Sequence, residues 1–323
     1  MLRVALEIDI VVEVIFYADG QDPGTDRFSG KANTGNDPLE HAYYQYAVDP
    51  LAAFANVCWE VTNEYHVFRT VECTDRLGAL LRSADPYRHL ISVHGHGEFP
   101  FRGSAWPTHA LYQSWDDQED HAFLLAKRKQ QTDAGRIMPQ VNAEYGYEDH
   151  NAVGWGENRA APSRTGDTRR RLAWGMYFAG GYQTTGERAD TGTGAGADTG
   201  GGWVNGRGDS CMTMLAGHAH IRTFFESFQW WKTLPADHLV DGHAYALAES
   251  GRQYAIYLHS GGTTVIHLPD KRFTVRAFNC RTGEFSTLVE GRVLKRDDHA
   301  GPGWVSPHHP PGEDWAFLIT ASE

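Results

Sequence analysis

Two glutamates, Glu64 and Glu144, follow short apolar segments of the sequence and form a candidate pair of catalytic carboxyl groups. Residues 57–61 indicate a short buried strand that leads to the polar pair Asn63 and Glu64, and residues 138–143 indicate a second strand that leads to Glu144. Two carboxyl groups across one cleft can hydrolyse a glycoside, because one protonates the leaving oxygen while the other attacks the anomeric carbon or activates water. We therefore predict that Glu64 and Glu144 face each other in a sugar-binding cleft.

A single glutamate is more often a surface or salt-bridged side chain than a catalytic group. Two glutamates at strand ends, one of them within the pattern Trp59-Glu60-x-x-Asn63-Glu64, favour the catalytic interpretation. A carboxyl separation of about 5 Å would give retention of configuration, and a longer one would give inversion. The residue types alone leave both outcomes open.

The elements that must position these residues alternate between strands and helices. Alternation of this kind is typical of a parallel α/β architecture, and polar residues at strand C-termini favour a (β/α)8 TIM-type barrel. Predicted strands lie at residues 8–17, 57–61, 89–94, 110–113, 138–143 and 182–185, and predicted helices at 74–83, 119–132, 168–179 and 217–233. The last helix places Phe224 and Trp231 on one apolar face, which predicts that both belong to the core.

The pattern changes to consecutive strands and tight turns from about residue 239. This change predicts a C-terminal antiparallel β-sandwich. We expect a catalytic barrel domain at residues 1–237 and a sandwich domain at residues 238–323. The glycine-rich segment 190–210 lacks phosphate-loop spacing and is predicted to be a surface loop that Trp203 anchors over the barrel mouth.

Composition excludes several classes of partner. The net charge of −12 argues against nucleic acid, which requires a basic surface. No apolar run reaches the roughly 18 residues of a membrane span, and the N-terminal residues do not resemble a signal peptide. The four cysteines are widely spaced and are interpreted as buried thiols, and we expect no metal site and no cofactor. Aromatic residues make up 12% of the chain, and some of them are expected to stack on sugar rings.

The two glutamate segments resemble the catalytic motifs of a known family. Residues 56–65 look like the acid/base motif on the fourth strand of retaining glycoside hydrolases with (β/α)8 barrels. Residues 139–148 resemble the nucleophile motif on the seventh strand of the apiosidase-like branch, and the C-terminal strands resemble a domain commonly assigned to collagen binding. The resemblance implies a retaining hydrolase of O-glycosidic bonds, with Glu64 as acid/base and Glu144 as nucleophile. It also implies an oligo- or polysaccharide substrate, with apiose among the candidate sugars.

Further cleft residues are implied by segments that resemble neighbouring strands of the same branch, at residues 92–96 and 112–114. Asn63 would hydrogen bond to the sugar 2-hydroxyl. The complete set of predicted substrate-binding residues is Asn63, His94, His96, Gln113, Asn142, Tyr147, Tyr17 and Trp203.

The sequence departs from the family at its N-terminal end. Residues 8–17 match the third barrel strand, so we count six barrel strands and expect an N-terminally incomplete barrel, closed by another subunit or by residues 19–38. An open barrel exposes strand edges and inner wall. The competing hypothesis is a catalytically inactive protein that binds carbohydrate or matrix. The resemblance is compatible with a secreted or periplasmic location.

Overall fold

The computed structural model describes residues 1–17, 28, 33–115, 120–146, 148, 165–184, 213–241, 243–294 and 301–322. The helices in these ranges are α1 (Leu2–Glu7), α2 (Pro38–Leu51), α3 (Tyr65–Phe68), α4 (Val71–Ala84), α5 (Asp120–Asp133), α6 (Gly166–Phe178) and α7 (Thr213–Phe225). The strands are β1 (Val12–Ile15), β2 (Val57–Glu60), β3 (Ile91–Ser92), β4 (Ala110–Gln113), β5 (Gln140–Glu144), β6 (Tyr182–Gln183), β7 (Leu234–Pro235), β8 (Ala244–Glu249), β9 (Gln253–Leu258), β10 (Val265–His267), β11 (Arg272–Asn279), β12 (Glu284–Val293), β13 (Gly303–Val305) and β14 (Trp315–Ala321). Among the described residues, no helix has the length and apolar character needed to cross a bilayer.

The chain forms two compact units, and the first contains Met1–Ser114 and Ala126–Glu144. Its strands β1, β2 and β3 pair in parallel, and so do β4 and β5. Two backbone hydrogen bonds join the segment that contains β3 to the segment that contains β4, in parallel register: Thr108 N donates to Ile91 O at 2.9 Å, and Gln113 N donates to His96 O at 3.4 Å. All five strands therefore run in one direction, and their C-terminal ends share one edge, as the alternation of strands and helices predicted.

Helices α2 and α4 of the first unit begin at capped residues and contribute buried apolar side chains to the core. Asp37 accepts a hydrogen bond from Leu39 N at the start of α2, where Pro38 fits the first turn. Thr70 caps α4 in the same way. Trp59 of β2 is completely buried, and its indole N–H donates to Asp85 Oδ2 at 3.1 Å, which satisfies its polar atom in the core.

Strand β1 is shorter than the predicted strand at 8–17, and helix α1 precedes it. Within the described ranges β1 pairs with β2 alone. The first fifteen residues expose an unusual number of large apolar side chains: Met1, Val4, Leu6, Ile8, Ile10, Val11 and Ile15. Further barrel strands would pair with this edge of β1. That the barrel is incomplete here stays a prediction.

The second unit contains Trp115–Leu125 and Tyr145–Glu323. A six-stranded antiparallel sheet has the order β12-β11-β14-β9-β8-β7, and β10 pairs with β13 in a separate sheet. Side chains of both sheets form one apolar cluster that includes Ile256, Ile266, Trp304 and Phe317. This arrangement fits the predicted β-sandwich, while the predicted boundary between residues 237 and 238 stays a prediction.

The predicted helix at 217–233 ends earlier than expected. Helix α7 stops at Phe225, because the backbone N–H and the hydroxyl of Ser227 both donate to Phe224 O, at 3.1 and 2.7 Å. A short 3-10 turn follows at Trp230–Lys232. Phe224 is buried as predicted, but Trp231 is 63% exposed, so its assignment to the core was wrong.

A buried ion pair within the second unit joins α6 to the segment before β14. Arg170 donates from Nη2 to Asp314 Oδ1 at 2.6 Å and from Nε to Oδ2 at 3.1 Å. The Tyr257 hydroxyl donates to the same carboxylate at 3.3 Å. Burial lowers the pKa of Arg170, but the hydrogen bonds and charge of Asp314 outweigh this effect and raise the pKa above its ordinary value. The Asp314 side chain is fully buried, so its charge depends on this partner.

Asp314→Ala is expected to lower the free energy of unfolding by about 3–5 kcal/mol, because it removes the buried carboxylate that accepts two hydrogen bonds from the buried Arg170 and leaves Arg170 with the half-exposed Asp167. Urea denaturation measures the change. Asp167 contacts the same Arg170 Nη2 at 2.6 Å but is 45% exposed, so Asp167→Ala is the matched control, with an expected loss below about 1 kcal/mol. Equal losses in the two variants would contradict the role of burial.

Candidate active site

Glu64 follows β2 at the C-terminal edge of the parallel strands and has a left-handed backbone, with φ 41° and ψ 47°. Asp9 and Arg88 are the other non-glycine residues with positive φ in the described ranges. Such a conformation costs an L-residue about 1–2 kcal/mol, and residues held in it are common at functional sites. The structure therefore holds Glu64 in a conformation that the residue itself disfavours.

Backbone hydrogen bonds on both sides hold the turn at Glu64. Asn63 N donates to Tyr17 O at 2.9 Å, which connects the turn to the end of β1. Tyr65 N donates to His94 O at 3.1 Å, which connects it to the segment after β3. Glu64 is half-buried, in a turn that is hydrogen bonded to the segments after β1 and β3, the strands on either side of β2.

Glu144 is the last residue of β5 and follows an irregularity in its pairing with β4. Tyr112 pairs with Asn142 and Gln113 pairs with Glu144, so Ala143 is an extra residue on β5. A bulge of this kind changes the direction of the next side chain and is common beside active sites. Glu144 is half-buried. Both predicted catalytic residues therefore belong to the first unit and lie at the same edge of its parallel strands.

The side chain of His94 is buried beside the Glu64 turn. Its Nε2 atom is buried and has no hydrogen-bond partner in the described part of the chain. Burial, followed by the nearby His66 and His96, lowers the pKa of His94 to about 4. The rings of His66 and His96 lie 5.3 Å apart. His94 therefore stays neutral at physiological pH and can exchange hydrogen bonds with a hydroxyl group.

Gln113 is the last residue of β4, and Asn142 lies two residues before the end of β5. The Gln113 side-chain oxygen is buried and has no partner among the described residues. Asn142 is fully buried, and its amide pairs with the backbone of Ser114 through two hydrogen bonds of 3.1 Å. Gln113 thus has an acceptor available beside Glu144, whereas the Asn142 amide holds the end of β4 in place.

The other predicted binding residues fall into two groups. Tyr17 lies at the end of β1, and its hydroxyl donates to Glu40 Oε1 at 2.9 Å. Asn63 and His96 flank the Glu64 and His94 segments and belong to the same edge. Tyr147 and Trp203 lie outside the described residues, so their predicted roles stay predictions. Within the described ranges, no group of three or more His, Cys, Asp or Glu side chains is arranged to hold a metal ion.

Sequence reasoning assigned no role to Glu40, Arg69 or Glu60. Glu40 and Arg69 form an ion pair of 3.1 Å in which both side chains are fully buried. Glu60 is 2% exposed, and its Oε1 atom has no partner in the described part of the chain. An acidic residue in the first turn of a helix is already favoured by the helix dipole, and Glu40 lies in the first turn of α2. The sequence therefore carried no separate signal for the buried contacts of Glu40.

Burial, followed by the charge of Glu13, raises the pKa of Glu60 well above the ordinary glutamate value. The folded chain therefore keeps a proton that the unfolded chain releases, and this group makes stability fall as pH rises from the ordinary glutamate range to the raised pKa. Glu60→Gln keeps the shape of the protonated form and cannot ionise. We expect it to be more stable than the wild type at about pH 8 and similar at about pH 4.

Urea denaturation across that pH range measures the difference. Glu72→Gln, at an exposed position of α4, reports the effect of removing a glutamate charge from the surface. A stability difference between Glu60→Gln and the wild type that stays constant with pH would contradict the assignment.

Glu64→Gly is expected to be more stable than Glu64→Ala by about 1 kcal/mol, because glycine adopts positive φ without a steric penalty. Chemical denaturation of the two variants gives the difference. The same pair of substitutions at Glu72, in the first turn of α4, is the control. There alanine should be the more stable by about 0.5–1 kcal/mol. The same sign at both positions would show that Glu64 is not strained in solution.

Three solved structures of glycoside hydrolase type have a similar fold. A family 5 glycoside hydrolase from Bacteroides vulgatus has a TM-score of 0.69 at 15% identity, covering 87% of this chain and 66% of that one. A second glycoside hydrolase has a TM-score of 0.71 at 13% identity, covering 87% of this chain and 68% of that one. A third, provisionally assigned as a glycoside hydrolase and also from Bacteroides vulgatus, has a TM-score of 0.73 at 19% identity, covering 99% of this chain and 62% of that one. The chain therefore spans about two thirds of the length of these structures.

At these identities the likeness concerns the fold. No curated protein matches the sequence. The family model described as apiosidase-like, catalytic domain, matches residues 4–186, which is more than half of the 323 residues. It includes both glutamates at the shared strand edge. The chain belongs to the family of apiosidase-like catalytic domains.

Proposed function

We propose that this chain is a retaining glycoside hydrolase in which Glu64 is the acid/base and Glu144 the nucleophile. The observation that carries the proposal is the placement of both glutamates at one edge of the parallel strands, each at a local irregularity of the backbone. Membership of the apiosidase-like family and the fold shared with glycoside hydrolases support hydrolysis of a carbohydrate substrate.

The reaction takes two displacements. In the first, a carboxylate oxygen of Glu144 bonds to the anomeric carbon, the bond to the leaving oxygen breaks, and Glu64 gives its proton to that oxygen. In the second, Glu64 removes a proton from water as the water oxygen attacks the same carbon and releases Glu144. The two inversions produce net retention.

The mechanism requires the carboxyl groups of Glu64 and Glu144 to be closer together than the spacing of their strands along the sheet. Three strand spacings separate β2 from β5, which corresponds to about 14 Å along a flat sheet. A retaining pair requires about 5 Å. The curvature of a barrel wall and the reach of two glutamate side chains would close the difference. The left-handed turn at Glu64 and the bulge before Glu144 support this interpretation, since each redirects a side chain.

Polar groups beside the two glutamates would bind sugar hydroxyls. His94 offers a neutral ring nitrogen, and Gln113 offers an amide oxygen, both buried and without a described partner. We assign Asn63 to the sugar 2-hydroxyl, His96 to the rim of the cleft, and the buried Asn142 to the support of β4. Tyr17 would contact the sugar through its aromatic ring, because its hydroxyl donates a hydrogen bond to Glu40.

One observation favours a second candidate, a carbohydrate-binding protein without turnover. The exposed apolar residues around β1 include Ile15 at 40% exposure, on the strand next to the one that leads to Glu64. If this edge leaves the barrel open, the cleft would bind sugar but fail to hold the two carboxyl groups at reactive distance.

Glu144→Ala is expected to abolish turnover of aryl glycosides, and Glu64→Ala to reduce kcat/KM by about 10²–10⁴-fold for substrates with poor leaving groups. Initial rates with a panel of aryl glycosides measure both effects, and Glu72→Ala at an exposed position is the control. Nuclear magnetic resonance of the first-formed sugar should show the anomer of the substrate.

Unchanged turnover in either variant would overturn the assignment of that residue. A first-formed anomer of opposite configuration would replace retention by inversion. Sugar binding by the wild type, with no hydrolysis of any glycoside in the panel, would favour the second candidate.

A further inference from the structure

Glu40, on α2, is a buried carboxylate whose contacts lead to both sides of the Glu64 turn. It is fully buried, as is the Arg69 side chain with which it forms an ion pair of 3.1 Å. Its second oxygen accepts a hydrogen bond from Asn33 Nδ2 at 3.1 Å. A buried charge is stable only when it is paired and hydrogen bonded, so this carboxylate fixes the position of its partners.

The first connection runs through Tyr17. The Tyr17 hydroxyl donates to Glu40 Oε1 at 2.9 Å, and the Tyr17 carbonyl accepts from Asn63 N at 2.9 Å. One residue, held by its side chain, thus holds the backbone immediately before Glu64. Movement of Glu40 would shift Tyr17 and with it the start of the turn.

The second connection runs through Arg69, which ends α3. Arg69 N donates to Tyr65 O at 2.7 Å, and the guanidinium group lies 4.5 Å from the centre of the Tyr17 ring. Helix α3 has four residues, too few to be stable by its own hydrogen bonds. The Arg69 side chain therefore fixes the end of α3, and the Glu40 charge holds Arg69 in place.

Both connections are needed because the turn they enclose is strained. The left-handed backbone at Glu64 persists only if the surrounding contacts offset its cost. We propose that Glu40 is a positioning residue that holds Glu64 in place as the general acid. This inference rests on the proposed function, since it assigns Glu40 a role in the reaction through Glu64.

The consequence depends on the leaving group of the substrate. A carboxyl group displaced by about 1 Å can lose about 10²-fold in rate. A glycoside with a weakly acidic leaving group needs the proton from Glu64, whereas a strongly acidic leaving group departs without it. A variant that misplaces Glu64 should therefore slow the first kind of substrate much more than the second. Loss of overall stability would slow both equally.

The test is the dependence of kcat/KM on leaving-group acidity, in a series of aryl glycosides, for the wild type and Glu40→Gln. We expect Glu40→Gln to lose about 10²-fold with the poorest leaving groups and only a few-fold with the best. Asp314→Asn is the matched control, because it breaks a second buried arginine–carboxylate pair in the other unit. It should change all substrates by one common factor. Glu40→Asp, which keeps the charge, should recover part of the loss.

Tyr17→Phe is the second variant, for the case in which Glu40→Gln does not fold. It keeps the ring and removes the hydroxyl that reaches Glu40, so the leaving-group dependence should change in the same direction by a smaller amount. A uniform rate loss across the series in both folded variants would overturn the role of Glu40.

Glu64→Ala, measured in the same series, separates this inference from the proposed function. If the loss of kcat/KM in Glu64→Ala, relative to the wild type, is the same for all leaving groups, the acid/base assignment itself fails. If Glu64→Ala shows the dependence and the folded Glu40 and Tyr17 variants do not, the catalytic assignment stands and the positioning role of Glu40 is wrong.

Discussion

The buried ion pair of Glu40 and Arg69 is the interaction on which the candidate site depends most directly. It joins α2 to the residue that ends α3, whereas backbone pairing aligns β1, β2 and β3. Backbone hydrogen bonds to Tyr17 O and His94 O hold the turn at the strand edge, but the cost of positive φ at Glu64 must be offset by further contacts. We propose that the buried pair contributes to this, because breaking it would leave a buried charge without its ionic partner.

Glu60, a second buried glutamate of the same unit, is accommodated by a raised pKa rather than by an ion pair with a described residue. Glu60 lies on β2 near Cys58, whose pKa is raised to about 12 by burial and then by Glu13 and Glu60, so the thiol stays neutral. No cation among the described residues pairs with Glu60, and its raised pKa favours the protonated form. One strand thus carries a carboxyl group whose burial favours the neutral form, four residues before the carboxyl group that we propose as the acid/base.

The sequence was informative where local rules decide the structure. The two strands that lead to Glu64 and Glu144, and the alternation that brings their ends to one edge, followed from apolar runs and turn residues. It failed where individual hydrogen bonds, whether local or between distant residues, decide the structure. The Ser227 bonds that end α7, and so expose Trp231, have no signature at the level of periodicity. Tyr17 and Glu40 are 23 residues apart, and nothing in either segment specifies their hydrogen bond. Asn142 is predicted to bind substrate, and the pairing of its amide with the Ser114 backbone has no signal in the sequence.

The edge of β1 and the backbone turn at Glu64 are connected through Tyr17. The residue that follows β1 into the site is Tyr17, and its carbonyl holds Asn63 N. The same strand carries Ile15 at 40% exposure, and the preceding residues expose apolar side chains that a sheet or helix would normally cover. Any element that pairs with this edge would restrict β1 and, through Tyr17, the turn that carries Glu64. The anchor that we propose from Glu40 acts on the Tyr17 hydroxyl, so it would restrain the turn even where the strand edge is unpaired. Covering the edge should therefore stabilise the sheet and add, through the Tyr17 backbone, a second restraint on the turn that carries Glu64.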